Sequence, residues 1–387
     1  MLWLLYTAAG LVTRSLAPLV TPIIRDLNMS YSQMGIVLGS WQLTYIVVAI
    51  IAGTIIDNWG VRRTLFIGTI IIGLSTSLRY FADGFGSLLF IVALYGVGGP
   101  MISIGSPKTI SLWFKGKDRG TAVGIYSTGP RIGGLIAFSA TNSIVMPLTG
   151  YSWRLTYVCY GIFAFAISLL WLLLARDIKQ KGEAESANMV RVFVTLTRVR
   201  NVRVILIAGF LCFTVMHGFN NWLPKILESG NFSPTIAGFV ASVSLVVGIP
   251  AVLIFPRMIP PHLRGRWMAL LALLVAVSLL VSVTTSGVLL FAGLVLFGMA
   301  GASLLPLLVL VLMDTPEVGS RHMGSAGGIF FCVSEIGGFA GPAIMGALVD
   351  MTGSFLPGIV FLASLTLVIF AVMFLLRPPF ISDQESL

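Results

Sequence analysis

Five ionisable side chains stand inside long apolar runs: Arg14, Lys108, Arg131, His217 and Glu335. A charge held in hydrocarbon costs roughly 3 kcal/mol or more, so such a residue faces a partner or a water-filled cavity. Arg14, Lys108 and Arg131 are positive and Glu335 is negative. A space lined by that set has surplus positive charge and calls for a counter-anion. The planar fork of arginine suits a carboxylate or another oxyanion. Gln42, Tyr45, Tyr126 and Asn220 lie in the same kind of run and add hydrogen-bonding surface. Plainer readings stand beside this one. Arg131 and Glu335 fit a buried structural ion pair, Lys108 fits a side chain that snorkels to the nearer surface, and His217 fits a satisfied packing residue. Arg79 and Arg154 sit near run ends, where structural or gate roles are expected. Trp41 and Trp222 suit an aromatic belt at a membrane interface.

The elements that hold these residues follow from composition. Apolar residues make up 57% of the chain and charged residues 10%, with a mean hydropathy of +0.99. A soluble domain carries roughly 25% charged residues. Backbone polar groups in lipid must be satisfied within their own segment, so the apolar runs are expected to be helices. The alternating pattern of a membrane barrel is absent. Breaks at charged, Gly or Pro residues give spans near 2–24, 34–56, 64–82, 88–113, 120–144, 153–175, 203–225, 234–256, 266–284, 287–312, 322–348 and 356–376. The fold class is therefore an all-α membrane protein of twelve helices. The first run has no basic region ahead of it and reads as a span, not a cleaved signal.

The net charge of +10 fits topology better than nucleic acid. One side receives Arg62, Arg63, Lys115, Lys117, Arg119, Arg176, Lys179, Lys181, Arg191, Arg198, Arg200, Arg203, Arg257, Arg264, Arg266, Arg321 and Arg377. The other receives Arg25, Arg154, Lys225 and Arg79. The positive-inside rule puts the rich side, with both termini, in the cytoplasm of a cytoplasmic-membrane protein. Residues 1–175 form a first six-helix bundle, 176–202 a cytoplasmic linker and 203–387 a second bundle. Cys159, Cys212 and Cys332 are scattered, with no metal or disulfide spacing. No nucleophile–base set, metal cluster or nucleotide loop is visible, so neither an enzyme nor a cofactor is expected. The bilayer is the expected partner and the chain is expected to be a monomer.

The two halves repeat. At an offset of 204 residues, Gly120, Ala122, Gly124, Ile125, Ile132, Gly133 and Gly134 fall on Gly324, Ala326, Gly328, Ile329, Ile336, Gly337 and Gly338. Repeated halves place a substrate site at their interface, near the bilayer midplane. The same alignment sets Arg131 on Glu335. Pseudo-twofold symmetry would face them across one central space, and they are expected to approach each other when it is empty or closed. An arriving anion would then compete for Arg131 and leave Glu335 free to take a proton.

The segment Gly53–Thr–Ile–Ile–Asp57–Asn–Trp–Gly60–Val–Arg62–Arg63 resembles the signature loop between helices 2 and 3 of the major facilitator superfamily. Gly60 permits a tight turn and Asp57 can polarise nearby helix ends. Gly129–Pro130–Arg131–Ile132–Gly133–Gly134 is similar to that family's fifth-helix pattern. Trp153–Arg154 and Asp350–Met–Thr–Gly353 are family-like as well. The resemblance covers essentially the whole chain. It implies two six-helix bundles around a cavity lined by helices 1, 4, 7 and 10 and gated by 2, 5, 8 and 11. It also implies Asp57, Gly60, Arg62 and Arg63 as gate residues. A departure is Val92, where many members, notably drug/proton antiporters, carry arginine; this argues against antiporter-type coupling.

The expected function is alternating-access transport of a small anion, such as a monocarboxylate or a cyanate- or nitrate-like ion, by proton symport or anion exchange. The substrate-binding set is Arg14, Arg131, Lys108, Gln42, Tyr45, Tyr126, His217 and Asn220, with Glu335 as the coupling group. The cyanate- and monocarboxylate-type branches are the nearest in pattern. One alternative is transport of a lipophilic or cationic compound, with Glu335 binding the cation. Another is a non-transporting receptor, which the shortage of soluble sequence disfavours.

Overall fold

The computed structural model describes residues 1–114, 116–176 and 197–376. Most of the expected linker lies outside the described residues, as do the counted basic residues Lys115, Lys179, Lys181, Arg191 and Arg377. Helix α1 spans Leu2–Asp26, α2 Tyr31–Trp59, α3 Val61–Phe81, α4 Phe85–Trp113 and α6 Trp153–Leu174. The second half holds α7 Arg200–Ser229, α8 Pro234–Met258, α9 Arg264–Thr284, α10 Gly287–Met313, α11 Gly319–Thr352 and α12 Leu356–Met373. Among the described residues, these 11 are long and apolar enough to cross a membrane.

The remaining span, α5, is interrupted. It runs Gly116–Ser127, resumes at Gly129–Ala140 and widens into a π turn at Thr141–Val145. The first break precedes Pro130. A proline has no N–H to give and its ring crowds the preceding turn. Arg131 N–H instead bonds the Thr128 carbonyl at 3.1 Å. Arg131 thus sits just after a break in the helix.

Other elements start and stop for local reasons. Ser30 and Gln33 form a reciprocal capping box at the head of α2, which satisfies otherwise orphaned N–H groups. Gly60 ends α2 with φ near 80°, a conformation that glycine reaches without penalty. Asp26, at the end of α1, accepts from Trp153 Nε1 at 3.1 Å and pairs with Arg154. Arg154 also donates to the Ala82 carbonyl at 2.9 Å.

Two tryptophans depart from expectation, whereas Arg79 takes the structural role expected of it. Trp222 is fully buried and donates to the Pro342 carbonyl at 3.0 Å. Trp41 packs inward on Tyr95 and His217. Neither belongs to an interfacial belt. Arg79 is buried with its guanidinium 4.7 Å above the Tyr157 ring, so it braces the first bundle from within.

The two bundles obey one pseudo-twofold relation. A Cβ on Gly133 of α5 would collide with the Thr7 carbonyl, and one on Gly337 of α11 with the Phe210 carbonyl. Likewise Gly35 of α2 abuts the Pro342 carbonyl of α11, and Gly238 of α8 abuts the Phe138 carbonyl of α5. Small residues let helix backbones approach this closely. These contacts carry α5 onto α11 at the 204-residue offset, as the alignment required. They carry α1 onto α7 and α2 onto α8 at an offset of 203 residues, since Thr7 falls on Phe210 and Gly35 on Gly238.

The seam between the bundles is shut at the end away from Arg62 and Arg264. There Asp350 of α11 accepts from the backbone N–H groups of Tyr31 and Ser32 at 2.9 and 2.7 Å. Thr21 bonds Glu228, and Lys225 donates to Thr21 at 2.9 Å. Asn142 reaches the Pro234 carbonyl at 3.3 Å. At the arginine-rich end the same faces part. Gly53 lies eighteen residues, about five turns, from Gly35 on one face of α2. Gly328 stands in the same relation to Gly346 on α11. A Cβ on Gly35 or Gly346 would strike backbone of the other bundle, whereas one on Gly53 or Gly328 would meet nothing within 4 Å among the described residues. The structure is a cleft with its mouth at the arginine-rich end.

Candidate functional site

The pseudo-twofold relation decides which side chains meet at the apex of that cleft. At the offset of 203, Arg14 of α1 has His217 of α7 as its mate, and Gln42 of α2 has Leu245 of α8. Arg131 and Glu335 are mates at 204. The contacts agree. Gly134 sits 3.1 Å from Arg14 Cγ and 3.3 Å from Leu245, counting from its would-be Cβ. Gly338, its mate, sits 3.0 Å from Glu335 Oε2 and 3.2 Å from Gln42 Nε2. Two clusters result. One, from α1, α5 and α8, holds Arg14, Arg131 and Leu245. The other, from α7, α11 and α2, holds His217, Glu335 and Gln42.

Arg14 and Arg131 are half-buried, and Nη1 of Arg14 is closed off from solvent with no hydrogen-bond partner. The two cations are near enough to act on each other. Neither belongs to an ion pair among the described residues. Gln42 bonds His217 Nδ1 at 3.1 Å, and its Oε1 is buried without a partner. With Gln42 donating, the imidazole proton sits on Nε2, which is then free to donate. Glu335 is buried, and its Oε2 has no partner.

The expected pairing of Arg131 with Glu335 is not formed in this structure. Symmetry mates lie on opposite sides of the axis, each within its own cluster. Arg131 shares its side with Arg14, while Glu335 lies beside Gln42 and within electrostatic reach of Tyr45 and Tyr95.

Lys108 also leaves the expected set. It pairs with Asp57 of the signature loop, linking α4 to α2 near the mouth. The pair stays within the first bundle. Arg62, beside it, bonds the Leu172 carbonyl through Nε at 3.2 Å and so holds α3 to α6. Arg63 is exposed on the same turn. The apex charge therefore becomes two positive against one negative, which still leaves a positive surplus. Tyr45 is occupied by Ser103 at 2.7 Å. Tyr126 stacks near Tyr6 at 5.7 Å and lines a separate apolar pocket with Trp3 and Trp113. It does not join the Arg14 cluster.

A cavity of about 170 Å³ lies between the halves. Arg14, Arg131, His217 and Asn220 line it, together with Phe213, Met216, Ser244, Leu245 and Phe297. Asn220 donates one N–H to the Met216 carbonyl at 2.7 Å. The resemblance named helices 8 and 10 but sequence reasoning singled out none of their lining residues, which are mostly apolar and bear no charge to mark them. The 203-residue repeat, which sets Gln42 on Leu245, is the sequence signal that marks Leu245. Among the described residues no group of His, Cys, Asp and Glu is placed to hold a metal.

Relatives agree with this architecture. A hexuronate transporter of Bacillus subtilis is 26% identical over 368 residues, covering 88% of this chain and 85% of that protein. A probable sulfoacetate transporter, SauU, of Cupriavidus necator is 24% identical over 370 residues, covering 86% and 82%. The crystal structure of the nucleoside transporter NupG superposes with a TM-score of 0.79 at 18% identity, covering 97% of this chain and all of that one. Residues 2–342 match the Major Facilitator Superfamily. With its two related six-helix bundles and central cleft, the chain is a multi-pass membrane transporter and belongs to the Major Facilitator Superfamily.

Proposed function

We propose that this transporter carries a small anion across the cytoplasmic membrane by alternating access. The observation that carries the reading is the pair Arg14 and Arg131: two guanidinium groups at the apex of the cleft without an anionic partner among the described residues. Two neighbouring cations in a poorly solvated site repel each other, and an oxyanion between them relieves both. Relatives named for hexuronate and sulfoacetate transport, whose substrates are acids, support the same class.

With the arginine-rich end in the cytoplasm, the structure is the inward-open state. The Asp350 carboxylate on the head of α2 then latches the outer gate, where a helix N-terminus favours a negative charge. Asp57 is its counterpart at the other end of the α2–α11 seam. In the inward-open state it is held by Lys108, and closure of the inner gate would carry it toward the head of α11.

Glu335 is the coupling group in this reading. A buried carboxylate without a partner is costly as an anion, and accepting a proton removes that cost. The cycle would then move one proton with the anion. Reconstituted protein tests this. Glu335→Gln should lose accumulation driven by a proton gradient and keep part of its anion exchange. Arg131→Ala should lose both. If Glu335→Gln concentrates substrate as well as wild type does, Glu335 is not the coupling group.

A further inference from the structure

The anion reading leaves the body of the substrate open, and the cavity speaks to it. Resting on that reading, we propose that the site takes a compact organic acid with an apolar body and discriminates against polyhydroxylated acids. The acidic head lies between Arg14 and Arg131. Phe213, Met216, Leu245 and Phe297 form the wall that meets the rest of the molecule.

Three observations support this. First, the cavity of about 170 Å³ is well below the roughly 300–1,000 Å³ of drug-sized sites. Second, the polar side chains on the second-bundle wall are partly committed, leaving His217 Nε2 and the other N–H of Asn220 as the donors that face the cavity. Ser244 donates to the Ala241 carbonyl at 2.9 Å, Asn220 spends one N–H on the Met216 carbonyl, and His217 is held by Gln42. A body with four or five hydroxyls would outnumber these few groups and leave the remainder unpaired, which binding penalises. Third, the asymmetry lies where specificity is set. The pseudo-twofold mate of Gln42 is Leu245, so the wall beside the two arginines carries an apolar side chain where the opposite cluster carries an amide.

Leu245 is thus assigned as a specificity-determining residue, and Leu245→Gln is the direct probe. The glutamine is close in size, and the mate position already accommodates one. Purified full-length protein is titrated with benzoate, glucuronate and tetraethylammonium. Wild type should bind benzoate at least tenfold tighter than glucuronate, the scale on which pockets discriminate polar from apolar groups. Leu245→Gln should weaken benzoate roughly tenfold and leave glucuronate unchanged or improved. Leu245→Met should behave as wild type, which separates a chemical effect from a folding defect.

Glucuronate bound as tightly as benzoate would overturn the apolar-body inference and leave the anion reading standing. Equal loss of both acids in Leu245→Gln would also overturn it. Binding of tetraethylammonium with neither acid bound would remove both the inference and the anion reading. Binding of none of the three would overturn the inference.

Discussion

Adding one methyl group to the seam should change which way the cleft faces. Gly39 of α2 packs on α11 at the shut end. A Cβ there would stand 2.8 Å from the Phe339 carbonyl oxygen and 2.9 Å from its Cα. Both are backbone atoms of a continuous helix and cannot rotate away. Overpacking of this kind costs about 1–3 kcal/mol, and the cost falls only on the conformation in which α2 and α11 touch at Gly39. At about 1.4 kcal/mol per decade, Gly39→Ala should shift the equilibrium roughly 5- to 150-fold away from the structure described here. Gly53→Ala serves as the converse. Its methyl meets nothing now, but would obstruct closure of the opposite end and favour the present state. The assay is the labelling rate of a cysteine introduced at Phe339, in a background where Cys159, Cys212 and Cys332 are replaced. A membrane-impermeant thiol reagent is added from the far side of reconstituted vesicles. Labelling should accelerate in Gly39→Ala and slow in Gly53→Ala. If both variants label at the parental rate, the glycine seam is not the element that alternates.

Other substitutions test separate parts. Arg14→Lys should retain some anion binding and Arg14→Ala lose most of it, by roughly 2–5 kcal/mol for a truncated buried charge contact; titration of an organic acid reads both, and equal full affinity would remove Arg14 from the site. Asp57→Asn should slow turnover more than it weakens binding, because the Asp57–Lys108 pair lies near the mouth and away from the cavity. Initial-rate kinetics in proteoliposomes separate the two effects, and an unchanged turnover would contradict the gate role. Asp350→Asn should loosen the outer latch and increase far-side labelling of the same Phe339 cysteine in an otherwise unsubstituted seam.

Much of the fold was legible because lipid leaves few choices. Apolar runs must be helices, and their breaks followed from Gly60 and the charged turns, although the cap at Ser30 starts α2 three residues before the expected 34. The α5–α11 repeat was legible because close helix packing requires glycines at fixed intervals. The candidate site was legible only in part. Arg14, Arg131, His217 and Glu335 announced themselves as charges in apolar sequence, and they do gather at the apex. Lys108 announced itself in the same way, but its partner Asp57 is 51 residues away in the chain, and hydropathy cannot report such a pairing. The expected Arg131–Glu335 contact is not made in this open state, and the reason is geometric. Equivalence by a twofold axis places mates on opposite sides of the axis, and whether they touch depends on their distance from it. The apolar wall of Phe213, Leu245 and Phe297 gave no signal, since a substrate-facing leucine and a packing leucine look alike in sequence.

The central claim is that Arg14 and Arg131 together hold an anion that the protein moves. The direct measurement is counterflow of radiolabelled benzoate in proteoliposomes, comparing wild type with the Arg14→Gln, Arg131→Gln double variant. Unlabelled organic acid or tetraethylammonium is loaded inside. Wild type should accumulate label transiently over internal acid and not over internal tetraethylammonium, and the double variant should accumulate none over either. Undiminished accumulation by the double variant over internal acid would contradict it.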